Sequence, residues 1–597
     1  MLHSTMEAAA ITGTPAARAV AGNEALRAAL DERAGAARHR RLELFGDAPV
    51  RVGAPPPWSV DVHSGHAWAP APARSIDCLD LGRRSDVKVP WEMSRLRHCV
   101  ALAQAAAVNG DRGILRVLDT DLGDWVRANP VGMTVNWASA MEVALRAVNL
   151  LSIEAIVPAP PSRLRGLLRR TLHEHGDFLA RNLELAEPRN NHYLANAVGL
   201  LWLGRRFGAA SAARRWSRDG ATMALTAARE QVLSDGVGFE GSLRYHVLAL
   251  ELFCLARLAA PRTLQALEPT ISAMLDALCA ISGPDGRVPD LGDDDGGRAT
   301  ALCDAPAADG RRVANLAAAL IGHPGGAALG AGGPVEDALW LLGPERARSL
   351  ASLAAGAPKP VRPAHLAAAG VAVLGDRDDH VVIDVGPVGT HGRGGHGHLD
   401  AMSFEAHLGG ELAVRDSGTG SYTRDPDLRD ALRGLAAHSV VIVDGRSYAR
   451  LGGITGIWSI EGDSPPQVLE LRGERARQVL VATQALPAAT GAAEHRRTLE
   501  WSPGSLRVGD RVDTPPGARV VHLLQVPDGV ELTAGGAGGG RLAYRVRGPH
   551  GSQLRLERRP RSEHYGSVGL GGCLTLSYTA GSESSEVVWE IARTGSQ

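Results

Sequence analysis

Residues 391–416 read HGRGGHGHLDAMSFEAHLGGELAVRD. Behind a glycine-rich turn stand two histidines one residue apart, His396 and His398. Asp400 follows at once, and Asp416 closes the segment. Downstream, His438 opens the strand-like run SVVIVDG. Alternate residues of an extended segment face the same way. If 395–399 is a strand, His396 and His398 therefore share a face, one free for proton transfer and the other for a metal. His398, Asp416 and His438 then form an N/O donor set suited to zinc. His-Gly-His also occurs in ordinary loops, and the spacing alone does not choose between the two.

Three further clusters offer chemistry. The first is EPRNNHY (187–193), just ahead of the apolar run LANAVGLLWLG. Asn190 or Asn191 is a natural helix cap. Equally, Arg189, two asparagines and His192 at the positive end of a helix suit a bound carboxylate. The second is DGVGFEGSLRYH (235–246), which carries Glu240, Arg244, Tyr245 and His246. A tyrosine flanked by Arg and His is expected to titrate below its usual value near 10, which would fit it for proton exchange with a sugar. The alternative is a half-buried helix tyrosine whose hydroxyl satisfies a loop. The third is PDLGDDDGGR (289–298), where Asp290, Asp293 and Asp295 could pair for glycoside hydrolysis or simply form a solvated turn. It lacks the ligand order of an EF-hand loop. No dinucleotide fingerprint, phosphate-binding loop or Ser/Cys nucleophile motif is present.

These clusters need elements to hold them. A chain of 597 residues is too long for one core. Lys and Arg together number 64 against 65 Asp and Glu, so no global field draws the chain to nucleic acid or an acidic membrane. The cysteines, Cys78, Cys99, Cys254, Cys279, Cys303 and Cys573, have no paired spacing and read as buried small residues. Residues 1–90 form a helical, then Pro/Gly-rich segment. From 91 to 355 helical periodicity dominates: in ASAMEVALRAVNLL, Met141, Ala144, Leu145 and Val148 fall at i, i+3, i+4 and i+7. Helices are expected near 94–108, 163–182, 192–207, 218–233, 243–259 and 264–282, as a toroid or solenoid. A Pro/Ala linker at 355–364 marks the boundary. Beyond it the period is two, as in SLRVGDRVD, where Leu506, Val508 and Val512 share a face. Long strands without helices between them imply an antiparallel sandwich over 365–597. The fold class is α+β multidomain.

Taken in order, DVKVPWEMSRLRH (86–98), NPVGMTVNWASAMEVALR (129–146), NNHYLANAVGLLWLG (190–204), DGVGFEGSLRYH, DGRVPDLGDDDGGR (285–298), GGHGHLDAMSFEAHLGGELAVRDSGTGSYT (394–423) and AAHSVVIVDG (436–445) resemble the heparinase II/III-like polysaccharide lyases, which include oligoalginate lyases. The resemblance covers most of the chain. It implies an N-terminal incomplete (α/α) toroid followed by a C-terminal antiparallel β-sandwich. It also implies β-elimination at a uronic acid, with Asn191 and His192 neutralising the carboxylate, Tyr245 donating a proton to the leaving oxygen and in some members also serving as the base, and His396 as the partner base. His398, Asp416 and His438 match the family's zinc ligands, one structural zinc per chain. Arg189, Glu240 and Arg244 are expected substrate contacts. Where some heparinase-like members carry a carboxylate one helical turn after the first catalytic histidine, this chain has Ala195.

The expected partner is a uronate-containing polysaccharide or oligosaccharide. No nucleic acid or membrane span is expected, and a homodimer is left open. The N-terminal wording shows no export signal, which implies the cytoplasm, with periplasmic or secreted placement as the alternative. The competing functions are a hydrolase using Asp290, Asp293 and Asp295, and a non-catalytic glycan-binding protein of exopolysaccharide assembly.

Overall fold

A computed structural model describes residues 13–46, 49–157, 159–358, 361–452, 456–534 and 536–594. Residues 1–12 of the expected N-terminal helical stretch, and two residues of the Pro/Ala linker, lie outside these. The chain divides into two compact units. The first runs to Val232 and takes in Val247–Leu275 and Gly296–Pro358. The second comprises Leu233–His246, Asp276–Asp295 and Lys359–Gln597.

The first unit is built from antiparallel helical hairpins. Arg97–Asn109 packs on Arg112–Ala128, Ala140–Ile156 on Ser162–Leu179, and Asn191–Phe207 on Ser211–Glu230. The first members of these pairs also pack in succession on one another, which makes them the inner layer of an (α/α) arrangement. Their sequences agree with that place. Ala140–Ile156 is buried at nearly every position, as a helix covered on all sides must be. The outer helix Ser162–Leu179 buries one stripe, Leu164, Leu168, Thr171, Leu172, His175 and Leu179. Neighbouring outer helices approach closely where small residues allow: a side chain at Gly176 would meet the Trp216 ring of Ser211–Glu230 at 2.5 Å. Among the described residues no helix is long and apolar enough to cross a membrane.

The second unit is antiparallel throughout. A five-stranded meander runs Ala364–Leu366, Val371–Gly375, His380–Asp384, Phe404–Leu408, Glu411–Val414. An eight-stranded sheet includes Arg477–Ala488, Gly491–Ser502, Ser505–Asp513 and Ser585–Arg593, and a four-stranded sheet pairs Gln553–His564, Ser567–Thr579, Arg519–Val526 and Val441–Val443. The apolar core between them gathers Phe404, Trp501, Tyr544 and Trp589 with Leu506, Val508 and Val512. Val508 faces Leu499 on one side and Trp589 on the other. On the same strand Asp510 is also fully buried. Arg497 binds it through two nitrogens, at 2.7 and 2.9 Å, and His495 bonds it at 2.8 Å, so this buried charge is paired as it must be.

Segments 233–246 and 276–295 are laced into the second unit by their main chains. His396 N donates to Glu240 O (3.0 Å), Asp293 N to His396 O (2.8 Å), Thr390 N to Phe239 O (2.7 Å) and Leu243 N to Leu291 O (3.1 Å). This requires backbones in contact. A side chain at Gly241, whose φ is +78°, would meet Gly389 Cα at 2.7 Å.

Candidate active site

Tyr245 lies in the first turn of the helix Leu243–Ala259, and His396 follows Gly394 and Gly395, both at positive φ. Their rings stack with centroids 3.6 Å apart and planes 15° from parallel. The Tyr245 hydroxyl donates to Asp295 Oδ2 at 2.7 Å and lies 2.9 Å from the Tyr422 hydroxyl. His396 Nδ1 is 2.9 Å from Asp293 Oδ2, and its Nε2 is 3.6 Å from Glu240 Oε2. Burial, then the charges of Asp295 and Asp293, hold the Tyr245 phenol well above its ordinary value. Tyr422 is raised in the same way, by burial first and then by Asp293 and Tyr245. This arrangement holds a proton on a phenol beside an imidazole, which suits paired proton transfer.

Asp293 is fully buried. Arg429 clamps both of its oxygens, with Nη2 at 2.8 Å from Oδ2. Its Oδ1 is 2.9 Å from His398 Nε2. Burial opposes its ionisation, but Arg429 and the two histidines hold it well below the usual carboxylate range. Asp290 is likewise held down against burial by Arg244 and Arg287, with Arg244 Nε at 2.9 Å and Arg287 Nη2 at 2.8 Å. A general acid must carry its proton near neutral pH, so neither Asp290 nor Asp293 fits the acid of the hydrolase alternative. Arg244, expected to meet substrate, is buried and spends its guanidinium on Asp290.

In the first unit, Asn190 is the cap: its side chain accepts from His192 N, and Asn191 is the first helical residue, fully buried. His192 Nδ1 lies 3.2 Å from Glu184 Oε2. Glu184 is itself fixed by Met141 N at 2.8 Å and Ser139 Oγ at 3.1 Å. A carboxylate thus backs His192, supplied by the preceding loop and not by position 195. Arg189 is partly exposed, pairs with Glu230 at 3.0 Å, and lies over the Tyr193 ring.

His398, Asp416 and His438 are all buried and offer ligand atoms within 4.8 Å of one another. His438 Nδ1 is 2.7 Å from Asp416 Oδ2. His398 Nδ1 and His438 Nε2 are buried and have no hydrogen-bond partner among the described residues. Two orphaned imidazole nitrogens beside a carboxylate fit a zinc ion by donor type. Asp416 N donates to Glu405 Oε1 at 2.9 Å, which steadies the carboxylate-bearing residue.

Two family models match this chain. The heparinase II/III N-terminus matches residues 61–304, and the heparinase II/III-like C-terminal model matches 358–572. Between them they take in most of the sequence. The chain belongs to the heparinase II/III family. A heparin-sulfate lyase of Pedobacter heparinus is 30% identical over 222 residues, 35% of this chain and 33% of that enzyme. The match thus spans about a third of that relative's length. Among solved structures, heparinase III superposes with a TM-score of 0.69 at 14% identity, covering 100% of this chain and 87% of that one. A mutant heparan sulfate lyase from Pedobacter heparinus gives 0.57 at 18% identity, covering 95% and 83%. These similarities establish the helical domain followed by an antiparallel sheet domain.

Two expectations need correction within this heparinase II/III fold. Segment 395–399 is a turn, not a strand, because positive-φ glycines precede His396. His396 and His398 nonetheless converge, on the two oxygens of Asp293. Tyr245 is raised, not lowered, by burial and then by Asp295 and Asp293, while its sequence neighbours point elsewhere: Arg244 to Asp290, and His246 Nδ1 to the Gly238 amide at 3.2 Å. Tyr422, Arg429 and Glu184 were not singled out beforehand. Tyr422 falls in the matched run SGTGSYT, a usable signal. Arg429 and Glu184 carry none.

Proposed function

We propose that the protein is a polysaccharide lyase that cleaves a uronate-containing polysaccharide by β-elimination. One observation carries the reading: Tyr245 and His396 stack face to face, and each is tied to its own buried carboxylate. His396 Nε2 takes the proton from C5 of the uronate. The C5–H electron pair forms the C4–C5 double bond as the C4–O bond breaks. Tyr245, which keeps its proton through neutral pH, gives it to the departing oxygen. The proton then passes from imidazolium to phenolate, and the pair is reset. Glu240 Oε2 stands 3.6 Å from Nε2, on the side where that proton arrives.

A C–H beside an ionised carboxylate is a poor acid, so that carboxylate must be neutralised as charge builds on it. We assign this to His192, backed by Glu184, with Asn191 beside it in sequence. Zinc on His398, Asp416 and His438 would be structural and would fix the turn that carries His396. The names of the relatives make a glycosaminoglycan the first polymer to try. Purified, zinc-loaded protein is to be incubated with heparin, heparan sulfate, chondroitin sulfate and alginate, following ultraviolet absorbance of the unsaturated product. Absorbance rising on one polymer supports the reading, and silence on all of them with folded protein overturns it.

A further inference from the structure

We infer that Asp293 is a positioning residue that couples the proton-transferring His396 to the metal ligand His398. One carboxylate serves both rings through opposite nitrogens. Its Oδ2 is 2.9 Å from His396 Nδ1, and its Oδ1 is 2.9 Å from His398 Nε2. Arg429 donates to both Asp293 oxygens, so the carboxylate meets the two rings as an acceptor. Each imidazole must then present an N–H to it. That choice fixes both tautomers at once: His396 is left with its lone pair on Nε2, and His398 with its lone pair on Nδ1. The two consequences suit different tasks. Nε2 of His396 is the atom that faces Glu240. Nδ1 of His398 is the buried nitrogen without a partner among the described residues, and it is the one free to bind zinc.

The position of Asp293 is itself over-determined. Its amide donates to His396 O, and its carbonyl accepts from Ser242 Oγ at 2.6 Å. A carboxylate behind a metal-bound histidine commonly sets ring orientation and ligand basicity. Here the same carboxylate also orients the neighbouring histidine, so loss of metal, by freeing His398, disturbs the hydrogen-bond partner of His396.

The catalytic half of this inference rests on the lyase reading, and the metal half does not. The test is Asp293→Asn in the full-length chain. An amide presents an N–H2 on one side, so one of the two histidines must change tautomer. Expected are a roughly 10- to 100-fold weaker affinity for zinc, read by competition with a chromophoric chelator, and a kcat loss of similar size with KM little changed. Unchanged zinc affinity in a folded Asp293→Asn protein overturns the proposal. Should that variant fail to fold, the wild-type protein stripped of zinc decides. A kcat that falls and returns on adding zinc supports the coupling, and an unchanged kcat overturns it. If the wild type is inactive on every polymer, the lyase reading fails, and the zinc affinity of Asp293→Asn, or of Asp293→Ser where the amide variant does not fold, still decides the metal half.

Discussion

The ring of Tyr245 lies face to face with that of His396, 3.6 Å between centroids, while its hydroxyl reaches past to Asp295 at 2.7 Å. The stack fixes the ring and the carboxylate fixes the hydroxyl, so the two can be separated by mutation. Tyr245→Phe keeps the stack and removes only the oxygen. Lyase activity should fall about 10²- to 10⁴-fold, the usual worth of a positioned acid or base, with the melting temperature little changed. Retained turnover would assign the proton to another group.

Asp290 provides the opposite kind of test. Arg244 and Arg287 both close on it, and Arg244 is buried. Asp290→Asn leaves the buried Arg244 with only Asp294, 3.6 Å from its Nε, as counter-charge; breaking a buried pair outright costs about 3–5 kcal/mol. The partial exposure of Arg287 places this pair at the low end. The Asp290 carboxyl is depressed in the folded state. Its contribution is therefore present above the unfolded value of about 4 and lost as pH falls through the folded one. Denaturant melts at neutral and acid pH check this: the gap between wild type and variant should narrow on acidification. The products of the variant should remain unsaturated.

The helices were legible in the sequence because burial of a stripe leaves a period. The outer helix Ser162–Leu179 shows it, burying Leu164, Leu168, Leu172 and Leu179; Met141, Ala144, Leu145 and Val148 are buried too, but on a helix buried at nearly every position. The strand Ser505–Asp513 was legible for the same reason with period two. The site was only half legible. Donor type and order offer His398, Asp416 and His438 as candidate metal ligands, and the three side chains do converge. The function of Asp293 was not legible, because its partners lie 103, 105 and 136 residues away, and pairing at that range leaves no local pattern. The direction of the Tyr245 titration is not legible from Arg244 and His246, because successive residues of a helix point in different directions and neighbours in sequence are not neighbours in space.

The tyrosines make a prediction about alkaline pH. Tyr245, Tyr422 and Tyr448 are all held well above the ordinary phenol value, with burial the largest cause in each. A folded value above the unfolded one means that stability is fully present below about pH 10 and is lost as pH rises from there toward the folded values. Native protein taken through this range should show less phenolate absorbance than the same protein in denaturant. The deficit should vanish in step with loss of the circular dichroism signal. Full phenolate absorbance in the native state near pH 10 would contradict the burial of these hydroxyls.

Glu184 offers the sharpest probe of carboxylate neutralisation. It accepts from Met141 N and Ser139 Oγ and lies 3.2 Å from His192 Nδ1. Glu184→Gln retains an acceptor oxygen for the main-chain contact, so the fold should persist. What is lost is the negative charge behind the imidazole. A hydrogen bond to a charged group contributes roughly 1.5–3 kcal/mol, so kcat/KM on a uronate polymer should fall about tenfold or more. Because the substrate carboxylate is present before and during proton removal, part of the loss should appear in KM. Tyr245→Phe should by contrast act on kcat. Steady-state kinetics of the two single variants separates these roles. A Glu184→Gln protein with wild-type kcat/KM would remove His192 from the proposed chemistry and leave neutralisation to Asn191 alone.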